Sequence, residues 1–332
     1  MMILCEFCKN WNFGFSKMSC LFILCFCMFI SCPMPDEKPV FVGEDINLGD
    51  YKPFSAGNKL AVLPQKAGIE FFENLPRVDG ATALYPVYAS FVQAVYPATE
   101  DYTDLRRGIV KCTTTQNAFA NLIDSHVDII FCAAPSQEQI AMAEEKGIVF
   151  NLTPIGKDAF VFFVNKNNPV NNLKVEQIRG IYSGNITNWR EVGGRNSEIV
   201  AFQRPANSGS QTALEFIMEG IPIMKPPVNR EIDAMDMIFE SVALYMNLGN
   251  AIGFSFLFFT TEMVNNSEIK LLSIEGVFPA KETIQSDEYA FSGLFYAITT
   301  GNESENTKKF IEWILSDEGQ YLIEKTGYVP IR

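Results

Sequence analysis

Apolar residues follow two patterns along this chain, and the patterns take turns. Residues 127–131 (VDIIF) form a short, nearly unbroken apolar run, the signature of a strand buried on both faces. Before it, residues 116–124 put Ala118, Phe119 and Leu122 on one face of a helix. After it, residues 137–146 read as a Glu/Gln-rich helix, and residues 87–96 carry apolar positions at helical spacing. Further strands are predicted at 109–112, 148–155, 160–164, 199–202, 251–256, 269–274 and 289–299, with an extended segment at 69–75. Helices are predicted at 175–183, from about Ser210 onward, at 233–246 and at 306–324, the last with Phe310, Ile314, Leu315, Tyr321 and Leu322 on its apolar side. Gly327 is a C-cap for that helix. Strands alternating with helices predict an α/β sheet, whose ligands lie beyond the carboxyl ends of its strands.

Those strand ends run into loops of small residues. The stretch 201–218 (AFQRPANSGSQTALEFIM) takes a strand through Arg204 and a loop without large side chains into a helix. Ser208 or Ser210 suits its N-cap, where first-turn N–H groups lack intrahelical partners. Such a helix start attracts anions, and the Arg204 guanidinium offers a planar fork of donors to a tetrahedral oxyanion. Taken alone, Ser-Gly-Ser is a capped turn. The same pattern recurs at residues 79–86 (DGATALYP), with the Thr82 hydroxyl at a loop that feeds a helix, and at residues 113–115, with Thr115 as the N-cap. Gly193-Gly194 is a surface turn, since no phosphate-loop spacing of glycines and lysine is present.

Charge narrows the classes. The 332 residues carry 39 acids and 26 bases, a formal charge of −13, so a general nucleic-acid or membrane-surface binder is disfavoured. An anion bound here must be held by local donors in a dry site. Length allows two ordinary domains, and 48% apolar with 20% charged residues is globular composition.

The N-terminus reads as a targeting segment. Lys9 and Lys17 precede the apolar run 20–30 (CLFILCFCMFI), which is shorter than the roughly 20 residues a membrane-spanning helix needs and suits a signal peptide. Phe29-Ile30-Ser31-Cys32 is similar to a bacterial lipobox, with Cys32 as the lipidated mature N-terminus. Residues 33–74 follow as a Pro/Gly-punctuated tether and arm. Six of the eight cysteines fall at positions 5–32. Cys112 and Cys132 remain for the folded body, as a pair or as two buried thiols.

Catalysis is not expected. Ser208 lacks a nucleophile elbow, and His126, the single histidine, sits in a turn far from it. Glu100-Asp101 and Glu144-Glu145 read as solvated faces rather than metal clusters, and no cysteine spacing suggests zinc. No cofactor or metal is predicted.

Several segments together carry a resemblance. DGATALYPVYASF, SHVDIIFCAAPSQEQ, IRGIYSGNITNWREVGG, FQRPANSGSQTALEF, AIGFSF and WILSDEGQYLIEKTGYVPI make residues 75–331 similar to the phosphate-binding proteins of bacterial phosphate ABC transporters, periplasmic solute-binding proteins of type II. The resemblance implies a two-lobed α/β fold with the ligand cleft between lobes: lobe 1 from 75–158 plus 286–332, lobe 2 from 159–285. It implies capture of inorganic phosphate by Thr82, Ala83, Thr115, Arg204, Ser208, Gly209 and Ser210, delivery to an ABC permease, a lipid anchor at the cell envelope, and a monomer without nucleic-acid partners. A second oxyanion such as sulfate, or a surface sensor or adhesin on the same fold, is the alternative. Two positions depart from the family pattern. Ala133 stands where the family often has an aspartate that accepts the proton of monohydrogen phosphate, and Ala206 where members often have an aspartate that orients the arginine. Strict selectivity against sulfate is therefore not implied, since it needs a buried acceptor that sulfate leaves unpaired. Asp79, Ser136 or a backbone carbonyl are the candidates for a substitute.

Overall fold

A computed structural model describes residues 46–98, 102, 104–226 and 249–332. The lipobox and Cys32, the pair Glu100-Asp101 and the helix expected at 233–246 lie outside the described residues.

Among the described residues, two large hydrophobic cores and two smaller clusters pack on one sheet. In chain order, β1 is Val78–Gly80, α1 Tyr85–Val95, α2 Thr115–Ile123, β2 Ile129–Cys132, α3 Gln137–Glu145 and β3 Asn151–Asn165. Then come β4 Asn172–Leu173, α4 Val175–Ser183, β5 Val200–Ala201, α5 Gly209–Met218, β6 Ala251–Phe256, β7 Ile269–Leu271 and β8 Ser273–Ile274. The chain closes with α6 Lys281–Gln285, β9 Ser292–Thr299, α7 Glu305–Ile314, α8 Asp317–Thr326 and β10 Val329–Pro330. The sheet order is β1-β2-β9-β3-β6-β5, with β10 and β7 also paired to β3. β1 and β2 run parallel, as do β5 and β6, while β9 runs antiparallel to both β2 and β3.

β3 ties the two cores together. Its first part pairs with β9, from Asn151 opposite Thr299 to Ala159 opposite Ser292, and its second part pairs with β6, from Phe160 opposite Phe256 to Val164 opposite Ile252. The exchange of partners falls between Ala159 and Phe160. On one side α1, α7 and α8 pack Tyr88, Phe91, Phe131, Phe310 and Trp313 into the first core. On the other, Phe162, Tyr182, Trp189, Leu214 and Phe254 form the second. Each such ring taken fully from water contributes roughly 1.5–3 kcal/mol, so each core is a substantial free-energy reservoir of its own.

Four expectations need correction. The strands expected at 148–155 and 160–164 are not separate: 151–155 and 160–164 are both parts of β3, because Pro154–Gly156 is absorbed as a bulge in the β9 pairing rather than as a turn. Gly156 makes that possible: a Cβ there would lie 2.3 Å from the Phe295 ring. The helix expected at 306–324 is two helices, α7 and α8, broken at Leu315 and Ser316. Gln320 seals the corner by donating to the Ile314 and Ile155 carbonyls at 3.0 Å each. Residues 109–112 give one isolated bridge, Val78 to Val110, rather than a strand. The stretch 269–274 likewise divides into β7 and β8, which pair with β3 and β4 respectively. Gly327 does cap the last helix, at φ +124°. Cys112 and Cys132 are free thiols, and His126 is exposed.

Candidate functional site

The start of α5 is built locally. Ser208 is its N-cap, its Oγ accepting from the Gln211 N–H at 3.3 Å, so Ser210 lies inside the first turn. Asn207 turns the chain at φ +63°, a conformation Asn tolerates. The Arg204 N–H donates to Gln211 Oε1 at 3.0 Å, which ties the strand exit to the helix it feeds. The side chains of Ser210 and Thr212 are buried, and neither hydroxyl has a hydrogen-bond partner among the described residues. A buried polar group left unpaired costs about 1–3 kcal/mol, a cost that a bound acceptor would offset.

A second helix start faces it. Thr115 is the first residue of α2 rather than its N-cap; the N-cap is Thr114, at φ +81° and without a side-chain bond. Positive φ is strained for a β-branched residue, by about 1–3 kcal/mol. Asp79 holds that strained turn in place. Its buried carboxylate accepts from the N–H groups of Gly80 (2.8 Å) and Thr113 (2.9 Å), from the Thr113 hydroxyl (2.6 Å) and from Asn121 Nδ2 (2.8 Å). Four donors fill a carboxylate, so Asp79 has no capacity left for a ligand. It is a structural clamp, contrary to its candidacy as a substitute acceptor.

The two starts touch. A Cβ built on Gly209 would lie 2.9 Å from Thr115 Oγ1, so glycine is what lets α5 approach α2 this closely. The rim beside them is hydrogen-bonded between the start of α3 and the loop before α5. Ser136 caps α3, accepting from the Gln139 N–H at 3.1 Å, and donates its hydroxyl to Asn207 Oδ1 at 2.8 Å. Asn207 Nδ2 donates to Glu138 Oε2 at 2.8 Å. Ser136 is thereby engaged as a clasp rather than standing as an open acceptor.

A cavity of about 240 Å³ opens beside this contact. Of the predicted site residues, Ala83, Thr115 and Gly209 line it; Thr82, Arg204, Ser208 and Ser210 do not. The Ala83 carbonyl accepts from the Tyr328 hydroxyl. Ala133 and Ala134 present methyl groups to the cavity, at and next to the position where an acid was the family expectation.

Sequence reasoning missed much of the wall. Thr212, one turn beyond Ser208 on the same helix face, was legible from spacing. Asp158 and Phe160 on β3, Phe256 on β6 and Phe295 and Tyr296 on β9 were not, because they meet only through strand pairing. The Asp158 Oδ1 accepts from the N–H groups of Ala159 (2.8 Å) and Phe258 (3.4 Å), and desolvation pushes its carboxyl up to about 7. Across the rim, desolvation and the neighbouring Glu138 raise the Glu215 carboxyl above the usual range. Among the described residues there is no cluster of three or more His, Cys, Asp or Glu suited to a metal, and no helix long and apolar enough to cross a membrane.

Comparison with known proteins places this geometry. A model of the PBP superfamily domain matches residues 74–318. The phosphate-binding protein PstS of Borreliella burgdorferi is 24% identical over 185 residues, which is 54% of this chain and 66% of that protein. The chain thus spans just under two thirds of that relative. The PstS of Staphylococcus saprophyticus is 26% identical over 261 residues, 76% of this chain and 79% of that one. Among solved structures, a phosphate ABC transporter substrate-binding protein from Clostridium perfringens, with bound phosphate, superposes with a TM-score of 0.61 at 24% identity. That superposition covers 78% of this chain and all of the other, and bears on the fold.

Proposed function

The chain belongs to the PBP superfamily, and from that premise we propose that it is a solute-binding protein that captures inorganic phosphate for an ABC importer. The observation that carries the reading is the meeting of two helix starts, Thr115 of α2 against Gly209 of α5, beside two buried hydroxyls that lack partners among the described residues. Helix N-termini and hydroxyls are neutral donors that hold a desolvated oxyanion despite a net charge of −13. In this reading the ligand takes the Thr82 and Thr115 hydroxyls and the Ala83 N–H from lobe 1 (75–158 plus 286–332). From lobe 2 (159–285) it takes the Arg204 guanidinium, the Gly209 N–H and the Ser208 and Ser210 hydroxyls. With Asp79 saturated and Ala133 a methyl, sulfate remains a competing ligand. No step of covalent chemistry is needed. The protein acts as a monomer, exported and held at the envelope by a lipid on Cys32.

Calorimetric titration with phosphate and sulfate, at two pH values, tests this directly. Arg204→Ala removes charge-assisted bonds worth about 1.5–3 kcal/mol each, so phosphate affinity falls by about 100-fold or more while the melting temperature holds. Unaltered affinity in that variant, or loss of fold without a specific binding defect, defeats the assignment of Arg204.

A further inference from the structure

The loop that feeds α5 is gripped by the start of α3. The Ser136 hydroxyl donates to Asn207 Oδ1 at 2.8 Å, and Asn207 Nδ2 donates to Glu138 Oε2 at 2.8 Å. Gln139 Nε2 donates to the Asn207 carbonyl at 3.4 Å. The two donors on α3 are preset. Ser136 and Gln139 are buried and hold each other: the Gln139 N–H donates to Ser136 Oγ at 3.1 Å, and the Ser136 N–H to Gln139 Oε1 at 2.9 Å. A reciprocal cap of this kind fixes both rotamers, so little further entropy is lost when Asn207 docks. The bond that ends on the Glu138 carboxylate is charge-assisted and the strongest of the three.

These bonds join segments that flank different cores. α3 follows β2, whose Ile129 and Phe131 belong to the first core. α5, into which Asn207 leads, buries Leu214 and Met218 in the second. The chain itself runs between the two large cores in other segments, from Ile155 to Ala159, from Phe254 to Phe258 and from Phe291 to Phe295. Short connections of that kind are where a hinge absorbs rotation. The Asn207 bonds are not covalent, so they form when the two sides approach and are exchanged for water when they part.

We propose that Asn207 is a positioning residue for phosphate capture: it latches the loop that carries Arg204, Ser208, Gly209 and Ser210 to the start of α3, and so slows release of the ligand. Asn207 acts through that loop rather than on phosphate itself. This rests on the oxyanion reading above, in which the loop supplies the ligand's donors, and adds a direct contact that holds the site shut. Because the latch forms after the ligand has entered, it bears on dissociation more than on association.

The test uses the full-length chain in detergent with inorganic phosphate as the probe. Calorimetric titration gives affinity, and chasing bound radiolabelled phosphate with unlabelled phosphate gives release. Asn207 sits at φ +63°, which glycine adopts freely, so Asn207→Gly removes both side-chain bonds without straining the turn. Phosphate should leave that variant about 5-fold or more faster than the wild type. Asn207→Asp keeps an acceptor for Ser136 but sets a second carboxylate against Glu138, so affinity should fall by about 10-fold or more. Adding Glu138→Gln reverses the pair, since Gln donates to Asp, and should return affinity to within about 3-fold of the wild type. A merely structural role for Asn207 gives no such recovery. Wild-type release from Asn207→Gly, or a double variant as weak as Asn207→Asp, overturns the latch, and tight binding by the wild type then leaves the phosphate reading standing. A wild-type chain that binds no phosphate overturns both.

Discussion

Replacing Asp158 with Asn should stabilise the protein, and by an amount that depends on pH. The ordinary aspartate value is 3.8, and burial in the cavity wall lifts Asp158 to about 7. A carboxyl raised in the folded state binds its proton more tightly there than in the unfolded chain. Stability is therefore highest at acid pH, falls as pH rises from the unfolded value, and levels off above the folded one. At about 1.4 kcal/mol per unit, the ionised side chain costs the fold about 4 kcal/mol at pH 8 and about 2 kcal/mol at pH 5. Asn keeps an Oδ1 acceptor for the Ala159 and Phe258 N–H groups and carries no charge. The variant should therefore exceed the wild type by a margin that widens by about 2–3 kcal/mol between pH 5 and pH 8. Urea unfolding followed by tryptophan fluorescence measures this, since Trp189 and Trp313 report on the two cores. A margin that does not change with pH, or a variant less stable at pH 8, would show that desolvation does not dominate at Asp158.

Other changes act through single contacts. Gly209→Ala puts a methyl where Thr115 Oγ1 sits 2.9 Å away, so oxyanion affinity should drop by about 10-fold or more as the helix starts separate; affinity within twofold of wild type would mean that the contact is not part of the site. Asp79→Ala strips the acceptor from Thr113 and Asn121 and should cost about 3 kcal/mol or more in chemical denaturation; a loss below about 1 kcal/mol would remove its role as clamp. Radiolabelled palmitate should enter the wild-type chain and not a Cys32→Ala variant, and label retained by that variant would refute the lipobox.

What could be read without a structure was local. The alternation of apolar runs and helical spacing sufficed for an α/β sheet, and small polar residues at Ser208–Ser210 and Thr113–Thr115 marked where helices begin. Capping chemistry acts over three or four residues, so the pattern carries it. Even there, the choice of Ser208 over Ser210 and of Thr114 over Thr115 waited on backbone angles, because Asp79, distant in sequence, sets the turn at Thr114. The continuity of β3 was not legible, since whether Pro154–Gly156 is a turn or a bulge depends on Phe295 packing over Gly156 from another strand. The break at Ser316 depends likewise on Gln320 reaching Ile155 of β3. Asp158 lies between the two expected strands 148–155 and 160–164 and carried no sequence signal; its place in the wall of a cavity, and the rise in its pKa, arise only when β3, β6 and β9 bring their residues around it. Short-range spacing fixes which residues cap, turn and alternate, whereas burial and charge environment are collective properties of segments far apart in the chain, and they exist only once those segments have packed.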